Sequence, residues 1–130
     1  MKFVILDHQP PENSVDQALA ARTEKPHFDL MFERAGKESL RTFATVAELL
    51  PEPEAKLDVL PLDDHRNEYL TYEGAVSNNR GVVTRHAQGT WTGDLDEEAN
   101  LSFDHDSKHF AGQTWKIRFD SVKNVLFRIA

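Results

Sequence analysis

The stretch His27-Phe28-Asp29-Leu30-Met31-Phe32-Glu33-Arg34 alternates without a break. Phe28, Leu30 and Phe32 fall on one side of an extended chain, and His27, Asp29, Met31 and Glu33 on the other, which is the period of a β-strand. The wholly apolar side commits this strand to a core and leaves His27 and Asp29 facing a cleft or solvent. Ala35-Gly36-Lys37 supplies a turn, and Leu40 to Ala44 reads as the returning strand of a hairpin.

Working outward, Lys2 to Asp7 is a short run rich in β-branched residues and reads as a first strand. Ser14-Val15-Asp16-Gln17 is a capping box that opens a helix over Val15 to Arg22, ended by Lys25-Pro26. Thr45-Val46-Ala47-Glu48 is a second capping box, opening a short helical turn that Pro51 stops. The Pro- and Glu-rich stretch from Pro51 to Pro61 reads as an irregular connector or an edge strand. Tyr69 to Ala75 reads as a strand, Ser77-Asn78-Asn79 as a turn, and Gly81 to His86 as a strand closed by Gln88-Gly89. Leu101 to Phe103, Trp115 to Phe119 and Val125 to Ile129 complete the set. Many short strands with turn clusters between them predict a mainly β fold, a small antiparallel barrel or sandwich with one or two short helices.

The 130 residues fit a single domain, and area scaling buries about two thirds of the chain's surface, enough for a core without staples. No cysteine is present, which excludes disulfides, thiolate nucleophiles and thiolate zinc sites. No apolar run approaches the ~20 residues of a membrane helix, and the apolar start breaks at Asp7, so the expectation is a cytoplasmic protein with no membrane partner. A net charge of −7 argues against broad adhesion to a nucleic-acid backbone. Any phosphate chemistry must then be local. The stretch Arg80 to Trp91 runs against the trend, with Arg80, Arg85 and His86 and no acid. It reads either as an exposed strand with solvated arginines or as the positive wall of an anion site.

Three constellations can carry chemistry. In His27-Phe28-Asp29 the imidazole and carboxylate share a strand face with Cα atoms about 6.6 Å apart, so they can converge on one metal ion. His8, at the end of the first strand, is a plausible third ligand, and two histidines with one carboxylate suit Mn²⁺, Fe²⁺ or Zn²⁺. The bland alternative is a solvated His beside a solvated Asp. Asp64-His65-Arg66-Asn67-Glu68-Tyr69-Leu70-Thr71-Tyr72-Glu73-Gly74 holds a histidine, two tyrosines and a Glu-Gly, or else is an ordinary loop with a packed aromatic pair. Ser77-Asn78-Asn79-Arg80-Gly81 can cradle a phosphate with turn amides and a guanidinium, or is a hairpin turn. A two-histidine, one-carboxylate oxygenase site is a further reading of His-x-Asp, with His86, His105 or His109 as the downstream ligand.

The order of these motifs, continued by Gly89-Thr90-Trp91 and Gly112-Gln113-Thr114-Trp115, resembles the 3′-phosphoesterase domain of bacterial non-homologous end-joining DNA ligases, and more closely its short stand-alone branch. The resemblance spans Phe3 to about Phe119. It implies a β-barrel with a metal site, Mn²⁺ preferred and Zn²⁺ an option, that trims 3′-terminal ribonucleotides and 3′-phosphates from DNA ends or acts on a related phosphoester. It implies His8, His27 and Asp29 as metal ligands, His65 as the histidine on the scissile phosphate, and Tyr69 as its tyrosine partner. A DNA-repair ligase or polymerase is the implied partner protein. Where the ligase-linked domains place an arginine two residues after the aspartate, this chain has Met31, and 18 residues separate His8 from His27. Arg80 is the expected replacement cation. The alternative keeps the barrel and drops catalysis, leaving a phosphate- or nucleic-acid-end binding module.

Overall fold

The computed structural model describes residues 1–9, 27–45, 56–75, 81–107, 110–120 and 123–129. It is mainly β, a closed antiparallel barrel of eight strands. Strands β1 (Lys2–Gln9), β2 (His27–Phe32), β3 (Ser39–Thr45) and β4 (Lys56–Arg66) form one meander. A 3₁₀ turn, Asn67–Leu70, and the two-residue strand β5 (Gly74–Ala75) lead into a second meander. This consists of β6 (Val82–Asp94), β7 (Glu98–Phe103), β8 (Thr114–Asp120) and β9 (Lys123–Arg128). Two seams close the barrel: β4 pairs with β9, and β1 pairs with β6 along its whole length, from Lys2↔Thr90 to Gln9↔Val82. No helix of the described residues is long and apolar enough to cross a membrane.

Alternation sorts the side chains into two clusters. The interior of an eight-stranded barrel is just wide enough to be filled by side chains. Here all eight strands contribute to it, among them Phe3, Phe32, Phe43, Leu101, Trp115 and Leu126. Its rings meet mostly edge to face, as Phe32 does Phe43 and Trp91, each at 5.9 Å. Both indoles have partners, Trp91 Nε1 donating to the Glu33 carbonyl and Trp115 Nε1 to Gln113 Oε1. The second cluster lies on the outer face: Val4 and Leu6 of β1, Met31 of β2, Leu40 of β3, Val83 of β6, and Tyr69 laid across them from the 3₁₀ turn.

Several expectations change. Residues 56–66 form a full strand, although Pro51 to Pro61 read as a connector or edge. β9 pairs β4 only over 56–59, so Pro61, which has no N–H to donate, lies beyond the doubly paired part. Tyr69 to Ala75 is not a strand but the 3₁₀ turn, a crossing segment and two paired residues. The chain here must travel over the outer face from β4 to β6, and Tyr69 spends its apolar area on packing instead of pairing. β6 does not stop at Gln88-Gly89 but continues to Asp94. Gly89 belongs inside it because a Cβ there would collide with the Ser102 carbonyl and reach 2.9 Å from Phe3 Cε1. The predicted helix over 15–22, the turn opened at Thr45, Ser77-Asn78-Asn79 and Arg80 lie outside the described residues, apart from Thr45 itself, which ends β3.

Candidate metal and phosphate site on the outer face

The β1–β2 register sets the first part of the site. Val4 opposes Met31, Leu6 opposes Asp29, and His8 opposes His27. Opposed residues share a sheet face, so these positions belong to the outer face that Val4, Leu6 and Met31 define. Of the two expectations for Asp29, a cleft or solvent, solvent is ruled out: it is 2% exposed. A carboxylate that deep needs partners. One is His8, whose Nδ1 lies 3.0 Å from Asp29 Oδ2. With Asp29 ionised, Nδ1–H donates to it, and in the neutral ring this puts the lone pair on Nε2.

Asp29 and His8 also fit a cation. Two donor atoms bound at a right angle on one octahedral ion, with bonds of about 2.1 Å, stand about 3.0 Å apart, which is also the length of the His8–Asp29 hydrogen bond. A proton holds the pair in the absence of an ion and would be displaced by one. The His27 backbone stands opposite His8 in the register, and its side chain is not described. Among the described side chains, no group of three His, Cys, Asp or Glu residues gathers as a metal cluster.

The second part comes from β4. Leu40 opposes His65, which places His65 on the same outer face, at the end of the strand and not in a loop. Its Nδ1 is 2.9 Å from the Asp63 carbonyl oxygen. A carbonyl only accepts, so Nδ1 carries the proton, and Nε2 remains to accept a proton or, in the imidazolium, to donate one. The His65 ring meets Tyr69 edge to face at 5.9 Å, and Tyr69 meets Tyr72 at 5.6 Å. Tyr69 is 6% exposed and packs with Leu6 and Met31, the residues beside and beyond Asp29. It is the physical link between the two halves. Met31 is buried beneath it and brings no charge.

β6 contributes a residue that the sequence marked only as part of a basic stretch. Arg85 opposes Leu6 across the β1–β6 seam, so Leu6 has Asp29 on one side and Arg85 on the other. The register slips here, Ile5 pairing with Ala87 and Leu6 with Arg85, which leaves His86 as an extra, bulged residue. The Arg85 backbone N–H donates to Glu73 Oε2 at 2.9 Å, so Glu73 is a hydrogen-bond partner within the barrel. No composition signal announces a bulge, and only the register shows which face Arg85 takes. His86 packs on Phe28 at 4.6 Å and Phe110 at 5.5 Å, both belonging to the interior aromatic group. His105 lies in an exposed turn, and His109 is outside the described residues. Compared with protein-family models and with curated proteins, the chain matches none.

Proposed function

We propose that this chain is a divalent-metal-dependent phosphoesterase acting on 3′-terminal ribonucleotides or 3′-phosphates of DNA ends, or on a related phosphoester. The observation that supports it best is the His8–Asp29 pair, 3.0 Å apart, on the same outer face of the barrel that carries Tyr69 and His65. His8, Asp29 and, from its register position, His27 would hold the ion, for which Mn²⁺ or Zn²⁺ suits the donor set. When bound, such an ion polarises a phosphoryl oxygen and lowers the pKa of water. His65 then serves the phosphate through Nε2, donating to an oxygen or to the leaving group, with Asp63 fixing its ring. Tyr69 holds His65 from the side and covers the apolar patch beside Asp29. A DNA-repair ligase or polymerase in the cytoplasm is the partner that suits this activity.

One observation favours the second reading, a binding module without turnover. Met31 is buried and apolar where the ligase-linked domains have a cation, so one phosphate contact is missing from β2. A primer–template ending in a single 3′-ribonucleotide separates the two when incubated with Mn²⁺. The phosphoesterase shortens it, and His65→Ala abolishes shortening while Mn²⁺ uptake persists. Retention of the strand at full length, with the end merely bound, would make the chain a binding module.

A further inference from the structure

We propose that Arg85 is the anion-binding residue of the outer face, and that its ligand is the phosphoryl group of a phosphoester. The inference rests on the phosphoesterase reading for the identity of the ligand, but its grounds are separate. The first is charge. Arg34, Arg41, Arg66 and Arg118 each lie within ion-pair distance of a carboxylate, on Asp64, Asp96, Glu68 and Glu98 respectively. Arg85 makes no ion pair among the described residues. Its guanidinium is held by two neutral acceptors, Gln88 Oε1 at 2.9 Å from Nη1 and the Leu70 carbonyl at 3.4 Å from Nη2. No carboxylate among the described residues contacts its guanidinium, in a chain with 22 acidic and 15 basic side chains. The Glu73 carboxylate hydrogen-bonds the Arg85 backbone N–H, not the side chain.

The second ground is position. Arg85 shares a cross-strand row with Leu6 and Asp29, and Gln88 shares the next with Val4 and Met31. The bond to Gln88 leans the guanidinium from the first row toward the second. The bond to the Leu70 carbonyl brings it against the residue that follows Tyr69. The third is rigidity. The Gln88 main chain, from which the side-chain acceptor extends, is held by Ser107, whose hydroxyl donates to the Gln88 carbonyl at 2.7 Å and accepts from the Gln88 backbone N–H at 2.9 Å. Ser107 is itself buried. A planar fork oriented by two neutral acceptors, exposed and with no carboxylate in contact, is suited to two oxygens of one phosphate. It adds the cation that Met31 does not supply.

The test is titration of the purified protein with inorganic phosphate, read by calorimetry, on wild type, Arg85→Gln and Arg85→Lys, together with the primer–template assay in Mn²⁺. Arg85→Gln should weaken phosphate binding roughly 10- to 100-fold, the range for a hydrogen bond to a charged group. Arg85→Lys should recover part of the loss, because it keeps the charge without the fork. Mn²⁺ uptake should be the same in all three, and KM for the ribonucleotide end should rise more than kcat falls. Loss of phosphate binding in Arg85→Gln by a protein that never shortens the primer would uphold the anion site and end the phosphoesterase reading. Shortening with unchanged KM and phosphate affinity in Arg85→Gln would do the reverse. A wild type that binds no phosphate also overturns the inference.

Discussion

The two buried clusters of this barrel differ in what they admit. The interior draws on every barrel strand and is apolar and aromatic, with Phe103, Phe110 and Trp115 in mutual ring contact. The outer cluster has six buried residues, roofed by one turn of 3₁₀ helix, and beside it sits Asp29, the one buried acidic or basic side chain among the described residues. An interior closed on all sides gains from each ring it holds and loses heavily by admitting a charge. A half-roofed outer patch can bury a carboxylate because neighbouring strands offer it partners such as His8. The inner cluster therefore carries most of the stability of the fold, and the outer one leaves room for a buried carboxyl group.

The strongest way to break this division is Trp115→Ala. The indole is fully buried, and its removal should cost about 3–5 kcal/mol in urea denaturation, by lost burial and the cavity left behind. A cost below that of any outer-face variant would refute the assignment of stability to the interior. Asp29→Asn sharpens the contrast from the other side. The amide oxygen can still accept from His8 Nδ1–H, so the expected loss is about 1 kcal/mol, while Mn²⁺ affinity measured by calorimetry falls at least tenfold. Unchanged Mn²⁺ affinity alongside the loss of stability would mean that Asp29 is a structural residue only. The smallest effect belongs to neither cluster. Glu98, on the exposed face of β7, has its carboxyl held below the ordinary value of 4.5 by its hydrogen bonds to Arg118 and then Lys116. A lowered folded pKa adds stability that is present above 4.5 and is lost as pH falls through the folded value. Glu98→Gln should therefore flatten the acid limb of a pH–stability curve and leave wild type slightly ahead at pH 7.

The barrel was legible in the sequence wherever a strand has one apolar face. The alternation of residues 27–34 predicts both the strand and the side each residue takes, and Trp115 and Ile117 fall in the core as their spacing indicates. Residues that are buried on the outer face defeat that logic. Alternation says that Asp29 points away from the interior, but not that a turn from 38 residues downstream covers the patch beside it. Tyr69 is the clearest case, since its strand propensity is real and its use is as a lid. His8, Asp29, His65 and Tyr69 came from the order of motifs, and the register then explains how residues so far apart in sequence share a face. Arg85 is marked in the sequence only as a solvated arginine or part of the positive wall of an anion site, because one bulged residue, His86, decides which face the guanidinium reaches, and a bulge leaves no mark in composition.

The seams of the barrel also set a timetable. The β1–β2–β3–β4 meander can form from neighbouring segments, but β1 finds its second partner only in β6, with Lys2 paired to Thr90. β4 finds its own in β9, Val59 pairing with Asn124. Contacts so distant in sequence make folding slow, on the order of milliseconds to seconds. Until β9 is synthesised and docked, β4 and β8 present open edges able to recruit other chains. The β1–β6 seam also brings Arg85 beside Leu6 and Asp29, so the anion site comes into being with a late event in folding. A chain stalled before β6 would hold His8 and Asp29 with nothing positive beside them.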